Sequence, residues 1–133
     1  MNTSTVLVVD DNATNLKLVS DLLEFEGYNI LRAVDAEQAM EIVAATPPDL
    51  ILMDVALPGM DGLTLTRQLK SDPATSSIVI VALTAFAMRG DEEKAREAGC
   101  SGYITKPIDT RALPMQVADY LVRGQSASPK GQP

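Results

Sequence analysis

Three stretches of this chain are apolar without a break: Val6–Val9, Leu50–Met53 and Ile78–Leu83. A strand with one wet face alternates apolar and polar residues. Unbroken runs of this length instead suit strands covered on both faces, as in a parallel sheet. Asn29–Ala33 and Gly102–Thr105 read as two shorter strands. Helical stretches fill the intervals. Ala13 to Glu26 has Asn12 as a candidate cap and Gly27 just past its end. Asp35 caps a second stretch, to about Ala45, which Pro47 and Pro48 stop. A third opens at Asp61 or Gly62 and reaches about Lys70, and Asp91 caps a fourth that ends at Gly99. The fifth runs to about Arg123. Its regular part begins near Leu113, with Pro114 in the first turn. Strand then helix, five times over, predicts a parallel sheet with helices on both faces.

A chain of 133 residues fits one domain, and its 46% apolar share supplies a core without staples. Cys100 is the lone cysteine, and histidine is absent. Intrachain disulfides, zinc sites of histidine and cysteine, and Ser-His-Asp or Cys-His mechanisms are therefore excluded. Any chemistry must run on carboxylates, hydroxyls, lysine or a hard metal ion. The formal net charge of −7 opposes direct nucleic-acid binding, which needs a basic footprint. Residues 1–5 are short and polar, so no signal peptide is expected, and no apolar stretch approaches the ~20 residues of a membrane span. The expectation is an acidic cytoplasmic domain over residues 5–123, with no membrane or nucleic-acid contact. A disordered tail rich in Gly, Ser, Gln and Pro should follow over residues 124–133.

In an open α/β sheet, ligands bind beyond the carboxyl ends of the strands. The first strand ends in Asp10 and Asp11, the third in Asp54, the fourth in Thr84, and the fifth in Lys106 followed by Pro107. The second ends in Ala33 and Val34, with no comparable polar group. Adjacent like charges destabilise one another unless a positive partner joins them or water solvates them. Oxygen ligands without His or Cys favour Mg2+, or alternatively Mn2+. Taken singly, each residue has a plainer reading: a solvated turn, a cap, a satisfied strand hydroxyl, a surface lysine. Their joint placement points to chemistry. A metal, an ammonium and a hydroxyl around a carboxylate are what phosphoryl transfer to that carboxylate requires.

The segments "VLVVDDN", "DLILMDVALPGMDG", "IVIVALTAFA" and "AGCSGYITKPID" together resemble the receiver domain of two-component response regulators, in order and from about Thr5 to Arg123. The resemblance implies a three-layer, flavodoxin-like (βα)5 fold with strand order 2-1-3-4-5. It implies that Asp54 accepts phosphate from a phosphohistidine on a histidine kinase or histidine phosphotransfer protein. Asp11, Asp54 and the backbone carbonyl of Ala56 would then ligate Mg2+ directly, and Asp10 through water. Thr84 and Lys106 would contact the phosphoryl oxygens, and Tyr103 would turn inward as an aromatic switch when Thr84 moves. The Lys106–Pro107 bond would be cis. On residues alone, Tyr103 reads first as a core tyrosine with its hydroxyl at the surface. The turn formers of "LPGMDG", Pro58 and Gly59 among them, let a tight loop follow and expose Asp54. Ala56 and Phe86 stand where such receivers tune water access to the aspartyl phosphate.

No output domain is expected after the receiver, so a downstream protein would read the helix 4–strand 5–helix 5 face of a monomer or weak dimer. In the first helix, Leu16, Val19 and Leu23 form one stripe and Leu18, Leu22 and Phe25 another. One must pack on the sheet, and Leu18 in the other is a candidate docking contact for the phosphodonor. The detailed resemblance favours stand-alone cell-cycle regulators, with the detached receiver of a hybrid histidine kinase as the alternative. A phosphatase with an aspartyl nucleophile would need an acid two places after Asp54, where Ala56 stands. A flavodoxin-like electron carrier would need a phosphate-binding loop after the first strand, where two aspartates repel phosphate. A decoy receiver would not need the full set of Asp10, Asp11, Asp54, Thr84 and Lys106. The chain is thus expected not to be a turnover enzyme, acting only on its own aspartate.

Overall fold

The computed structural model describes residues 4–57, 59–84 and 89–127. Five strands, β1 (Thr5–Val9), β2 (Asn29–Ala33), β3 (Leu50–Asp54), β4 (Val79–Thr84) and β5 (Gly102–Thr105), form one sheet in the order β2-β1-β3-β4-β5. Every pairing is parallel. The helices are α1 (Ala13–Phe25), α2 (Ala36–Ala45), α3 (Gly62–Ser71), α4 (Arg89–Ala98) and α5 (Leu113–Ala127). This is the three-layer flavodoxin-like arrangement expected from the sequence.

The unbroken apolar runs are explained by burial on both faces. Val6, Val8, Leu50, Leu52, Val81 and Leu83 pack with α1 and α5. Leu7, Val9, Ile51, Met53, Ile80 and Ala82 pack with the opposite layer, α2 to α4. All of β3 and β4 is buried, so neither strand carries a polar alternation. The two stripes of α1 separate as the helical period requires. Leu16, Val19 and Leu23 are buried on the sheet, while Leu18 is 38% and Phe25 88% exposed.

Local signals set the helix ends. The side chains of Asn12, Asp35 and Asp61 accept the backbone N–H groups of Asn15, Gln38 and Thr64. Gly27 and Gly99 take positive φ angles of 101° and 112° and close α1 and α4. Behind Gly99, the Cys100 N–H donates to the Ala95 carbonyl and the Gly99 N–H to the Arg96 carbonyl, satisfying orphan carbonyls. Two helix limits differ from the sequence reading. Helix α4 begins at Arg89, two residues before Asp91, so Asp91 lies inside its first turn and not at a cap position. Helix α5 continues to Ala127, four residues past Arg123. A single glycine such as Gly124 costs a helix only about 1 kcal/mol relative to alanine and need not stop it. Pro58, Phe86 and the remainder of the expected tail, 128–133, lie outside the described residues.

The two edges of the sheet differ. At the amino edge the chain closes on itself: the Thr5 N–H donates to Asp49 Oδ2 (2.8 Å) and the Asp49 N–H donates to the Thr5 carbonyl (2.8 Å). The carboxyl edge is left to the loops. Among the described residues, no helix is long and apolar enough to cross a membrane.

Candidate functional site

Parallel pairing carries the ends of β1, β3, β4 and β5 to one edge, and the polar residues at those ends meet there. Asp10, just past β1, is 1% exposed, and Asp54, the last residue of β3, is 3% exposed. Asp11 is exposed. One oxygen from each of these three carboxylates lies within 4.8 Å of the others. Lys106 follows β5, and its Nζ lies 3.4 Å from Asp10 Oδ2 and 3.2 Å from Asp54 Oδ2. Asp10 after β1 and Asp54 at the end of β3 are therefore held by an ammonium that the end of β5 supplies.

Backbone amides complete the cradle. The Asn12 N–H donates to Asp10 Oδ1 (2.9 Å) and the Ala56 N–H to Asp54 Oδ1 (3.0 Å). Asp10 Oδ2 is buried and, among the described residues, has no hydrogen-bond donor, only the Lys106 ion pair. Burial holds the Asp10 carboxyl above the usual aspartate range; the Asn12 N–H opposes this, and the neighbouring Asp54 carboxylate reinforces it. With all three aspartates ionised, three negative charges face one positive, leaving two to be balanced. A divalent cation cancels that remainder, and a donor set of oxygen alone suits a hard ion. The orphaned Asp10 oxygen is a further sign that the residues fit one.

Thr84 ends β4, is buried, and accepts the Lys106 N–H at its carbonyl (2.7 Å). That bond ties Lys106 to β4 as well as to β5. The Lys106–Pro107 peptide bond is cis. Thr84 pairs with Thr105 and Ala82 with Tyr103. Ala82 and Tyr103 both pack with the layer formed by α2 to α4, and Thr84, two residues on from Ala82, shares that face of the sheet. Tyr103 thus lies on the neighbouring strand, two pairs back from Thr84 on the same face of the sheet, and is half-buried. Leu18 is apart from this cluster, on the outer face of α1.

Two residues with parts in the site escape a reading of motifs. Asn12 caps α1 with its side chain while its N–H holds Asp10. Only the capping half was visible in the sequence. Gly62 opens α3 so close to β3 that an added Cβ would overlap the Asp54 carbonyl oxygen. Its neighbours in sequence suggest a turn and give no sign of this approach.

The comparisons with known proteins agree with this geometry. The model of the response regulator receiver domain matches residues 6–118. The polar-differentiation response regulator DivK of Brucella ovis is 43% identical over 119 residues, an overlap of 90% of this chain and 97% of that protein. DivK of Brucella anthropi is 43% identical over 116 residues, 87% of this chain and 94% of that one. Among solved structures, a CheY-like receiver domain protein of Methanospirillum hungatei superposes with a TM-score of 0.86 at 26% identity, covering 94% of this chain and 98% of that one. The chemotaxis response regulator CheY4 of Vibrio cholerae shares the fold, with a TM-score of 0.85 at 24% identity over 90% of this chain and 99% of that one. With the matched family covering most of the chain and the four polar strand ends gathered at one edge, the chain belongs to the response regulator receiver domains.

Proposed function

We propose that this domain is a DivK-like, stand-alone cytoplasmic regulator that takes a phosphoryl group from a phosphohistidine onto Asp54. The observation that carries this reading is the carboxylate of Asp54, buried at a strand end, flanked by two further aspartates and 3.2 Å from Lys106. In the transfer the N–P bond of the donor breaks and an O–P bond to Asp54 forms, with the donor imidazole as leaving group. Lys106 lies where it can offset charge on the transferred oxygens, and the Thr84 hydroxyl can donate to one. Mg2+, or Mn2+ in its place, would be held by Asp11, Asp54 and the Ala56 carbonyl, with Asp10 through water, and would add positive charge to the same oxygens.

The phosphodonor is a histidine kinase or histidine phosphotransfer protein, with Leu18 of α1 in its docking surface. Once phosphorylated, the domain gains a group of about −1.5 to −2 charge with strong acceptor oxygens. Thr84 moves toward it and Tyr103 fills the vacated space, so a downstream protein reads the α4–β5–α5 face. Turnover of external substrates is not part of this reading. Two residues past Asp54 stands Ala56, which offers a backbone N–H and no acid for a leaving group.

The test is intact mass after incubation with Mg2+ and acetyl phosphate, for the wild type and Asp54→Asn. A gain of about 80 Da that Asp54→Asn abolishes is expected. A gain that survives in Asp54→Asn overturns the assignment of the nucleophile. Lys106→Gln should lower the rate of phosphorylation while Mg2+ binding persists. An unchanged rate would remove the role given to Lys106.

A further inference from the structure

A groove runs between α2 and α3, on the sheet face away from α1 and α5. It consists of two cavities of about 290 and 280 Å³ that meet at Met40. The first lies at the amino end of α2, against Gly59 and Met60 of the loop that follows the phosphoacceptor strand. The second lies at the carboxyl end of α2, walled by Val43, Ala44 and Pro47 and, across the gap, by Leu69. Met40 and Met60 are 42% and 38% exposed, an unusual placement for two large apolar side chains that face a common hollow. Methionine has an adaptable side chain and suits a surface that must accommodate a partner.

The charge around this groove has one sign. Asp35 and Glu37 line the first cavity and Asp72 the second, and among the described residues no lysine or arginine lines either. Glu41, exposed on α2 one turn from Glu37, adds a further carboxylate. No basic residue stands in the last turn of α2, so the negative end of its dipole is uncompensated beside the second cavity. Lys70 of α3 does not relieve this. Its ammonium donates to the Ser76 (3.0 Å) and Ile78 (2.5 Å) carbonyls, and burial lowers its pKa.

From this combination we infer that the α2–α3 groove docks a basic amphipathic helix of a partner protein. The ten residues of α2 span about 15 Å, the length of nearly three helical turns. Two apolar side chains seven positions apart on a partner helix stand about 10 Å apart along its axis, which suits one cavity each. Lysine or arginine on either side of that stripe would face Asp35 and Glu37 at one end and Asp72 at the other. The surface is separate from α1 and from the α4–β5–α5 face. It therefore leaves room for a third protein while the phosphodonor or the downstream reader is engaged. Because Gly59 and Met60 belong to the loop after Asp54, occupancy of the groove and phosphorylation can also influence each other reciprocally.

The test is a titration of 15N-labelled protein with a synthetic leucine–lysine peptide of about 14 residues, roughly 21 Å of helix, with its leucines on one face. Saturable shifts confined to residues 35–47, 59–60 and 68–75 are expected. Met40→Lys and, separately, the exposed Ala44→Lys should each weaken binding about tenfold or more, because each sets a like charge against the peptide. The same peptide with serine for leucine, or glutamate for lysine, should not saturate. Shifts centred on Leu18 and Phe25 of α1, or on Met115 and Val122 of α5, would overturn the inference. So would equal binding by the serine peptide, indifference to both substitutions, or sedimentation showing that the groove is closed by a second copy of this chain.

Discussion

Asp10 is buried more completely than any other carboxylate of the site, yet one of its oxygens has no hydrogen-bond donor among the described residues. Burial raises its pKa above the model-peptide value of 3.8. The folded protein therefore holds this proton more tightly than the unfolded chain does. Stability from this group is fully present below pH 3.8 and is lost as pH rises through the higher folded value. At neutral pH the ionised side chain is a net cost that a bound cation would relieve. In metal-free protein at pH 7, Asp10→Asn should thus raise the melting temperature, by about 3–5 °C for each kcal/mol of repulsion removed. The gain should shrink as the pH is lowered toward 4, and a series of thermal melts across that range would measure it. The same substitution should reduce the further rise that Mg2+ produces. A lower melting temperature for Asp10→Asn at pH 7 would mean that the Lys106 ion pair outweighs desolvation.

At the scale of elements, the two sides of α1 make opposite predictions. Leu23 is fully buried against the sheet, so Leu23→Ala should cost about 2–5 kcal/mol in a denaturant melt. Phe25, 88% exposed, should tolerate Phe25→Ser to within about 0.5 kcal/mol. Helix α5 is keyed to β5 differently. A Cβ on Gly102 would overlap the Tyr120 hydroxyl and ring, so Gly102→Ala should destabilise by about 1–3 kcal/mol through overpacking. In a Tyr120→Ala background most of that cost should vanish, and the non-additivity in a double-mutant cycle would measure the contact. These contacts mark what was legible in the sequence. The strands, their order of appearance and the caps Asn12, Asp35 and Asp61 could be read because each depends on neighbours in the chain, whereas Asp91 falls inside α4 and not at its cap. The polar strand ends could be listed for the same reason, since parallel topology alone brings Asp10, Asp54 and Lys106 to one edge. Gly62 against Asp54, Gly102 under Tyr120 and the hollow beside Met40 could not be read. Each depends on how two distant elements approach, and a leucine, valine or methionine lining a gap has the same sequence signature as one filling a core.

For the whole molecule, the charge balance predicts a coupling between ion binding and folding. Mg2+ bound only by the native carboxylate cluster should raise stability by about 2.7 kcal/mol at a hundredfold excess over its Kd. A calorimetric scan with and without the ion would show it, and Asp54→Asn should blunt the shift. The architecture also has a practical side. Each strand travels from the closed edge, where Thr5 and Asp49 bind one another, to the edge of the carboxylates, about 16 Å away for five residues. Helix α5 makes the return trip, about 22 Å in 15 residues. The described chain therefore enters and leaves at the same edge, remote from the aspartates. A fluorophore or a sensor-chip linkage joined at the start of β1 or at the end of α5 would sit at the edge away from the aspartates, and binding kinetics recorded through the two attachments should coincide.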